Sequence, residues 1–285
     1  MSDLANIGFK DSTKIGFMQG RLSPVRNGRI QSFPWDTWPE EFELASKLCF
    51  EKIEWTIDSE NFLLNPLLTP SGQEEIIRLK DKYQVEIPSV TCDYFMENPP
   101  WTSDPEKLFL AIESILQGMR IIDAKVLVIP LVDNSSLNGG LMISQVQLFF
   151  GRLSNLLHIN EIKIAFETDL SPDLFSSFMN AFEKEIYGVN YDIGNSAALG
   201  FKPTEEFAAI GQRVINVHVK DRALGGTTVP LGTGDADFLT VFKCLDDLAY
   251  VGNLIMQTAR AQDGRHADVL VGYREQITNW IEEAT

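Results

Sequence analysis

The chain has 285 residues, enough for one large domain or two modest ones, and its 44% hydrophobic content can fill a sizeable core, which excludes a disordered chain. Forty acidic against 24 basic side chains give a formal net charge of −16, a field that repels phosphate backbones and anionic membranes, so nucleic acid and lipid surfaces are excluded as bulk partners. Three scattered cysteines, Cys49, Cys92 and Cys244, without CxxC spacing, and a polar start (MSDLANIGFKDSTK) without an apolar targeting segment read as a soluble chain of a reducing, cytoplasmic compartment.

Taken in order, strand-type apolar runs begin at Lys14 (KIGFM), Lys52 (KIEWTI), Glu86 (EIPSVT), Lys125 (KVLVIP), Lys163 (KIAFET), Gly188 (GVNYDI), Val214 (VINVHV) and Asn253 (NLIMQT). Each interval holds a segment with helix-period apolar positions, and alternating strand and helix argues for parallel βαβ units. Ser71 with Glu74 and Ser103 with Glu106 fit capping boxes, and Ser171-Pro172 places a hydroxyl before a proline at a helix start. In residues 105–122, Leu108, Ala111, Ile112, Ile115, Met119 and Ile122 form one packing stripe. Eight such units predict a single (β/α)8 TIM barrel over residues 1–285, with a doubly wound open sheet as the alternative. The two longest loops, 19–36 and 221–237, follow the first and seventh strands, at the end where such barrels build their sites.

The strand ends carry, in order, Gln19 and Arg21, Glu54, Asp93, Asp133, Glu167, Asp192 with Asn195, His218 with Lys220 and Asp221, and Gln257 with Arg260. Glu167, Asp192 and His218 end three consecutive strands, which barrel closure makes neighbours, so two carboxylates and an imidazole can face one point as ligands of a divalent cation. Taken singly, each has a plainer reading: a strand-end acid, a helix cap and a core histidine. Glu54, between apolar residues, must either point into a polar pocket or pair with a base, because an unpaired buried carboxylate is costly. Asp93 has the weaker claim, as a turn cap. Arg21, Lys220, Arg222 and Arg260 offer cations for a phosphate, a carboxylate or sugar hydroxyls, or pair with neighbouring acids. His158 sits within a helix pattern, away from these ends. The GTG of residues 225–238 has no third glycine, and Asp235 and Asp237 repel a pyrophosphate, so this stretch reads as a covering loop or ordered turn rather than a dinucleotide site. Trp35 and Trp38 serve either as an aromatic platform for a sugar or as anchors of the first long loop.

The run IGFMQGRLSP, IQSFPWDTW, IEW, AFETD, NYDIGNSA, VHVKDR, VPLGTGDADF and MQTAR resembles the sugar-phosphate isomerase/epimerase branch of the xylose isomerase-like TIM barrels, in that family's order and over nearly the whole chain. The resemblance implies one divalent metal ion (Mn, Mg, Co or Zn) held by Glu, Asp, His and a second Glu on the last four strands. By motif, Glu167, Asp192 and His218 take the first three places and Gln257 falls in the fourth, where it departs from the pattern. Relatives include ketose 3-epimerases, inosose dehydratase and endonuclease IV, but three histidines cannot supply the zinc cluster of the last. An amide brings no charge and cannot act as a base, so the ligand set sums to −2 and predicts weaker metal affinity than the family norm, or an empty site.

The implied function is isomerisation or epimerisation of a sugar or sugar phosphate through an enediolate, with Glu167 as base, Glu54 and Lys220 as further catalytic groups, and Gln19, Arg21, Asn195, Asp221, Arg222 and Arg260 binding substrate. With the second glutamate missing, one-base aldose-ketose isomerisation or elimination of water fits better than epimerisation, unless Glu54 or Asp221 supplies the second acid. An inosose-type dehydratase and a non-catalytic sugar-binding barrel are the alternatives, and a homo-oligomer is compatible with the chain.

Overall fold

Every one of the eight apolar runs forms a strand in the computed structural model, which describes residues 14–26 and 28–285. The strands are β1 (Ile15–Met18), β2 (Ile53–Ile57), β3 (Ser89–Cys92), β4 (Val126–Leu131), β5 (Lys163–Thr168), β6 (Tyr187–Asp192), β7 (Val214–Val219) and, after a short hairpin of β8 (Asp221–Arg222) and β9 (Thr228–Val229), β10 (Leu254–Met256). The barrel strands are all parallel and close in chain order, β10 pairing with both β7 and β1 through Leu254↔Val217 and Ile15↔Leu254. The open-sheet alternative is thereby set aside. Residues 1–13, which hold most of the polar start, lie outside the described residues. Among the described residues no helix is long and apolar enough to cross a membrane.

Alternation along each strand sends one side chain into the barrel and the next toward the helices. On β5, Phe166 packs outward against Phe150 and Phe178, with ring centroids 5.1 and 5.3 Å apart, while its neighbour Glu167 meets the interior residue Asn190. Burying one such ring stabilises the fold by roughly 1.5–3 kcal/mol. The predicted stripe on the helix Pro105–Ile121, with the adjoining Ile122, is buried throughout. Two helix starts differ from the expected capping boxes. Thr69 caps the helix Pro70–Tyr83 by accepting from the Gly72 amide, and Asp104 caps Pro105–Ile121 by accepting from Glu106. In both a proline takes the first helical position, its missing donor costing nothing there, and the cap falls on the residue just before it. Ser171 precedes Pro172–Met179 as expected, but its hydroxyl makes no capping bond.

One irregularity positions the site. The β6–β7 register is Val189↔Val214 and then Asn190↔Asn216, so Ile215 is an extra residue on β7. That bulge sets Asp192 opposite His218, where an unbroken register would have given it Val217. Gly188 makes room for it, since a Cβ there would lie 2.6 Å from the Ile215 side chain and 2.8 Å from the Arg213 carbonyl.

Candidate functional site

The C-terminal ends of the barrel strands surround a cavity of about 670 Å³ whose lining includes Arg21, Gln31, Asp93, Glu167, Lys220 and Gln257. A larger cavity, about 940 Å³, opens at the opposite rim among Lys80, Lys125, Lys163 and Tyr250. Barrels of this kind build their chemistry at the C-terminal face, and that is where this chain gathers its ionisable groups.

Glu167, Asp192 and His218 each offer one donor atom, and the three atoms lie within 4.8 Å of one another, all buried. The sequence grouping of the three is matched by this placement. Asp192 serves two purposes at once. Its Oδ1 caps the helix Ile193–Leu199 by accepting from Asn195, while the enclosed Oδ2 pairs with the Lys220 ammonium at 2.7 Å. Glu167 Oε1 accepts from Asn195 at 2.5 Å and Oε2 from Asn190 at 2.7 Å. His218 turns Nε2 to Glu54 Oε1 at 2.7 Å, leaving Nδ1 at 3.3 Å from Glu167 Oε2 and 3.0 Å from the Asn190 amide. Two buried carboxylates and an imidazole nitrogen gathered at one point suit a divalent cation.

Burial disfavours a charge on His218, but Glu54 and Glu167 beside it outweigh this and push the ring up to about 10. Burial likewise opposes ionisation of Glu54 and Glu167, yet His218 holds both carboxyls below the ordinary range. Burial keeps Asp192 raised in spite of Lys220. A divalent cation held by these three groups would supply the positive charge that the ring proton supplies otherwise.

Gln257 follows β10 and faces the cavity. Its Oε1 accepts from Lys220 at 2.7 Å, and its Nε2 donates to Gln31 Oε1 at 2.8 Å. Gln31 in turn donates to Asp93 Oδ2 at 2.5 Å. Asp93 makes no capping bond to the short helix after it, so the turn-cap reading fails. Burial, with Glu167 nearby, pushes its carboxyl up to about 7 even though Gln31 donates to it.

Six of the expected site residues stand outside the cavity lining: Asp192 and His218, both buried, and Glu54, Asp221, Gln19 and Arg260. Glu54 is wholly buried beneath His218, accepting from Ser89, Thr91 and Asn216, so it positions the imidazole and cannot touch substrate. Asp221 accepts from the backbone amides of Gly232, Gly234 and Ala236 and so holds the second long loop together. Gln19 is buried, accepting from the Thr56 amide. Arg260 donates to the Ser23 carbonyl. Neither Glu54 nor Asp221 is therefore available as the second acid. Lys220, Arg21, Asn195 and Arg222 do line the cavity. Arg222 donates to Asn195 Oδ1 and the Gly226 carbonyl, and Arg21 to the Thr258 and Ile30 carbonyls. Burial and then Arg260 lower Arg21 to about 9. Among the described residues only Lys220 of the four expected cations forms an ion pair.

The glycine-rich stretch is an ordered turn tied to Asp221, and His158 is exposed against Glu183. Trp35 packs on Phe33 and Trp38 on Trp55, which makes both anchors of the first loop. Asn190, Asn216, Ser89 and Thr91 escaped the strand-end pattern. Asn190 and Asn216 each lie two residues before Asp192 and His218, on the same inward face, and that period of two is the signal that marks them.

Known proteins give the family. The model of the xylose isomerase-like TIM barrel matches residues 42–283. No curated protein matches the chain. Among solved structures, an L-ribulose 3-epimerase superposes with a TM-score of 0.72 at 11% identity, covering 95% of each chain. An IolI protein with a bound zinc atom gives 0.71 at 13% identity, covering 95% of this chain and 99% of that one. A xylose isomerase-like TIM barrel protein from Mycobacterium smegmatis in complex with magnesium gives 0.67 at 17%, covering 94% and 97%. These likenesses establish the barrel, and the family model, spanning most of the sequence, establishes the lineage: the chain belongs to the xylose isomerase-like TIM barrel family.

Proposed function

We propose that this protein is a sugar isomerase or epimerase that removes a proton from the carbon beside a carbonyl, with a divalent cation held by Glu167, Asp192 and His218. The observation that carries the proposal is the buried cluster of those three donors, of which Glu167 lines the cavity. The zinc in the IolI structure and the magnesium in the Mycobacterium smegmatis structure support a metal, and the L-ribulose 3-epimerase supports a sugar substrate. Three scattered free cysteines fit a reducing, cytoplasmic setting.

When bound, the cation supplies a Lewis acid that polarises the carbonyl oxygen and its neighbouring hydroxyl. Glu167, kept ionised by His218 and steadied by Asn190 and Asn195, accepts the proton. Asp93, a cavity carboxyl pushed up to about 7, still carries a proton part of the time at neutral pH and returns one. Gln257, an amide, cannot serve as a base, and its two ends are held by Lys220 and Gln31. Lys220 and Arg222 present donors to the sugar oxygens.

The test is uptake of solvent deuterium beside the carbonyl across a panel of ketoses, with Mn²⁺, Mg²⁺, Co²⁺ or Zn²⁺ added and E167Q as control. Exchange by the wild type that E167Q abolishes supports the proposal. No exchange by the wild type with any of these ions overturns it and leaves a sugar-binding barrel.

A further inference from the structure

The Lys220 ammonium is built into the metal centre rather than laid over it. It is enclosed, 9% exposed, and its two partners are Asp192 Oδ2 and Gln257 Oε1, each 2.7 Å away. Its stem lies against the first turn of the helix Ile193–Leu199. A Cβ on Gly194 would stand 2.8 Å from Lys220 Cγ and 3.0 Å from its carbonyl carbon, so only glycine lets the lysine run there. Asp192 Oδ1 is committed to capping, which leaves Oδ2 as the oxygen that any cation must use. Gln257 is held in place by Gln31, so its neutral carbonyl stays turned to the ammonium.

The charges decide the consequence. Were residue 257 acidic, Lys220 would have a carboxylate of its own. With glutamine there, the nearest anion to Lys220 is Asp192, the same carboxylate that a metal ion needs.

We propose that Lys220 is a built-in competitor of the divalent cation: ammonium and ion contend for Asp192, and the Lys220–Gln257 pair sets how tightly the centre holds its metal. The proposal rests on the metal reading above. It makes Lys220 a residue that tunes metal affinity, and it predicts that loss of a positive side chain strengthens cation binding, the opposite of what loss of a structural ion pair would do. Removing the lysine charge leaves Asp192 Oδ2 undivided and takes away a repulsion between two cations in a low-dielectric site.

The experiment is calorimetric titration of Mn²⁺ into chelator-stripped protein at fixed pH, for wild type, K220M, K220Q, Q257E and E167Q, with melting curves as a second readout. K220M and K220Q are expected to bind at least about tenfold more tightly than wild type, about 1.4 kcal/mol, and to gain more thermal stability from the ion. Q257E is expected to bind more tightly too, and adding K220M to it is expected to bring less than K220M brings alone, because the lysine then has its own carboxylate. If E167Q loses the ion while K220M and K220Q bind no better than wild type, the competition is overturned and the metal centre stands. If wild type, K220M, K220Q and Q257E all fail to bind Mn²⁺, the metal reading itself falls and the competition with it. Should K220M not fold, K220Q makes the same comparison with wild type.

Discussion

Removing Glu54 should damage the protein from beneath the site rather than within it. Its carboxylate receives four donors or ring contacts in a wholly enclosed space: Ser89 and Thr91 at 2.6 Å, Asn216 at 3.0 Å and His218 Nε2 at 2.7 Å. E54A takes from a charged imidazole the nearer of its two counter-ions, a loss of about 3–5 kcal/mol for one member of a buried pair. In a barrel of this length that corresponds to a melting point lower by roughly 6–10 °C. E54Q separates charge from volume. A glutamine amide turned to Nε2 would donate to it, shifting the ring proton to Nδ1, the nitrogen that faces Glu167 and Asp192. Orienting partners of this kind are worth roughly 10- to 100-fold in metal affinity, so E54Q should melt closer to wild type than E54A while losing that much affinity for Mn²⁺. Differential scanning calorimetry and metal titration on the same preparations give both numbers. An E54A variant melting within about 2 °C of wild type, or an E54Q variant binding the ion as tightly, would refute the role of Glu54 as the anchor of His218.

Other residues carry separable expectations. D93N should lower turnover by roughly 10²- to 10⁴-fold with little change in melting, and should remove a limb near pH 7 from the kcat/KM profile; an unchanged rate would clear Asp93 of proton delivery. Glu41, which accepts from the Gly20 and Leu22 amides behind the first long loop, is pushed up from 4.5 to about 7 by burial. A raised carboxyl stabilises the fold fully below its unfolded pKa and loses that contribution as pH rises to its folded one. Wild type should therefore lose about 3 kcal/mol between pH 4.5 and 7 relative to E41Q, read by urea unfolding, and parallel profiles would contradict this. G188A should destabilise by about 1–3 kcal/mol through overpacking against Ile215 and Arg213, and should weaken Mn²⁺ binding by displacing the bulge; destabilisation with full metal affinity would separate the bulge from the site.

The barrel was legible because its signals are local and repeated. Each strand run sits between helix-period segments, and eight such units are the arithmetic of a barrel, although the pairing of β10 with β1 that excludes the open sheet is visible only in the structure. Helix starts were less legible at Thr69 and Asp104, where a serine or a nearby polar residue offers the same hydroxyl or carboxylate a step away and only the proline fixes which one caps. The alignment of Asp192 with His218 lay beyond sequence reasoning, because nothing in VINVHV marks Ile215 as an extra residue.

Depth is what a strand sequence hides. Glu54 and Glu167 are both acids in apolar runs, both face inward, and by pattern alone either could meet a substrate. They differ in enclosure: Glu167 lines the cavity, whereas Glu54 is shut in by His218, Ser89, Thr91 and Asn216. Alternation tells which face of a strand a side chain takes and not how far along the barrel axis its neighbours rise. The same ambiguity separates Asp221 from Asp93. Asp221 belongs to the VHVKDR motif and turns away to gather three backbone amides, while Asp93, with no motif to recommend it, points into the cavity and is reached through Gln31 from Gln257. A carboxylate at a strand end becomes a reagent only when the loop beside it leaves its oxygens unclaimed by backbone donors, and in this chain that is true of Asp93 and untrue of Asp221.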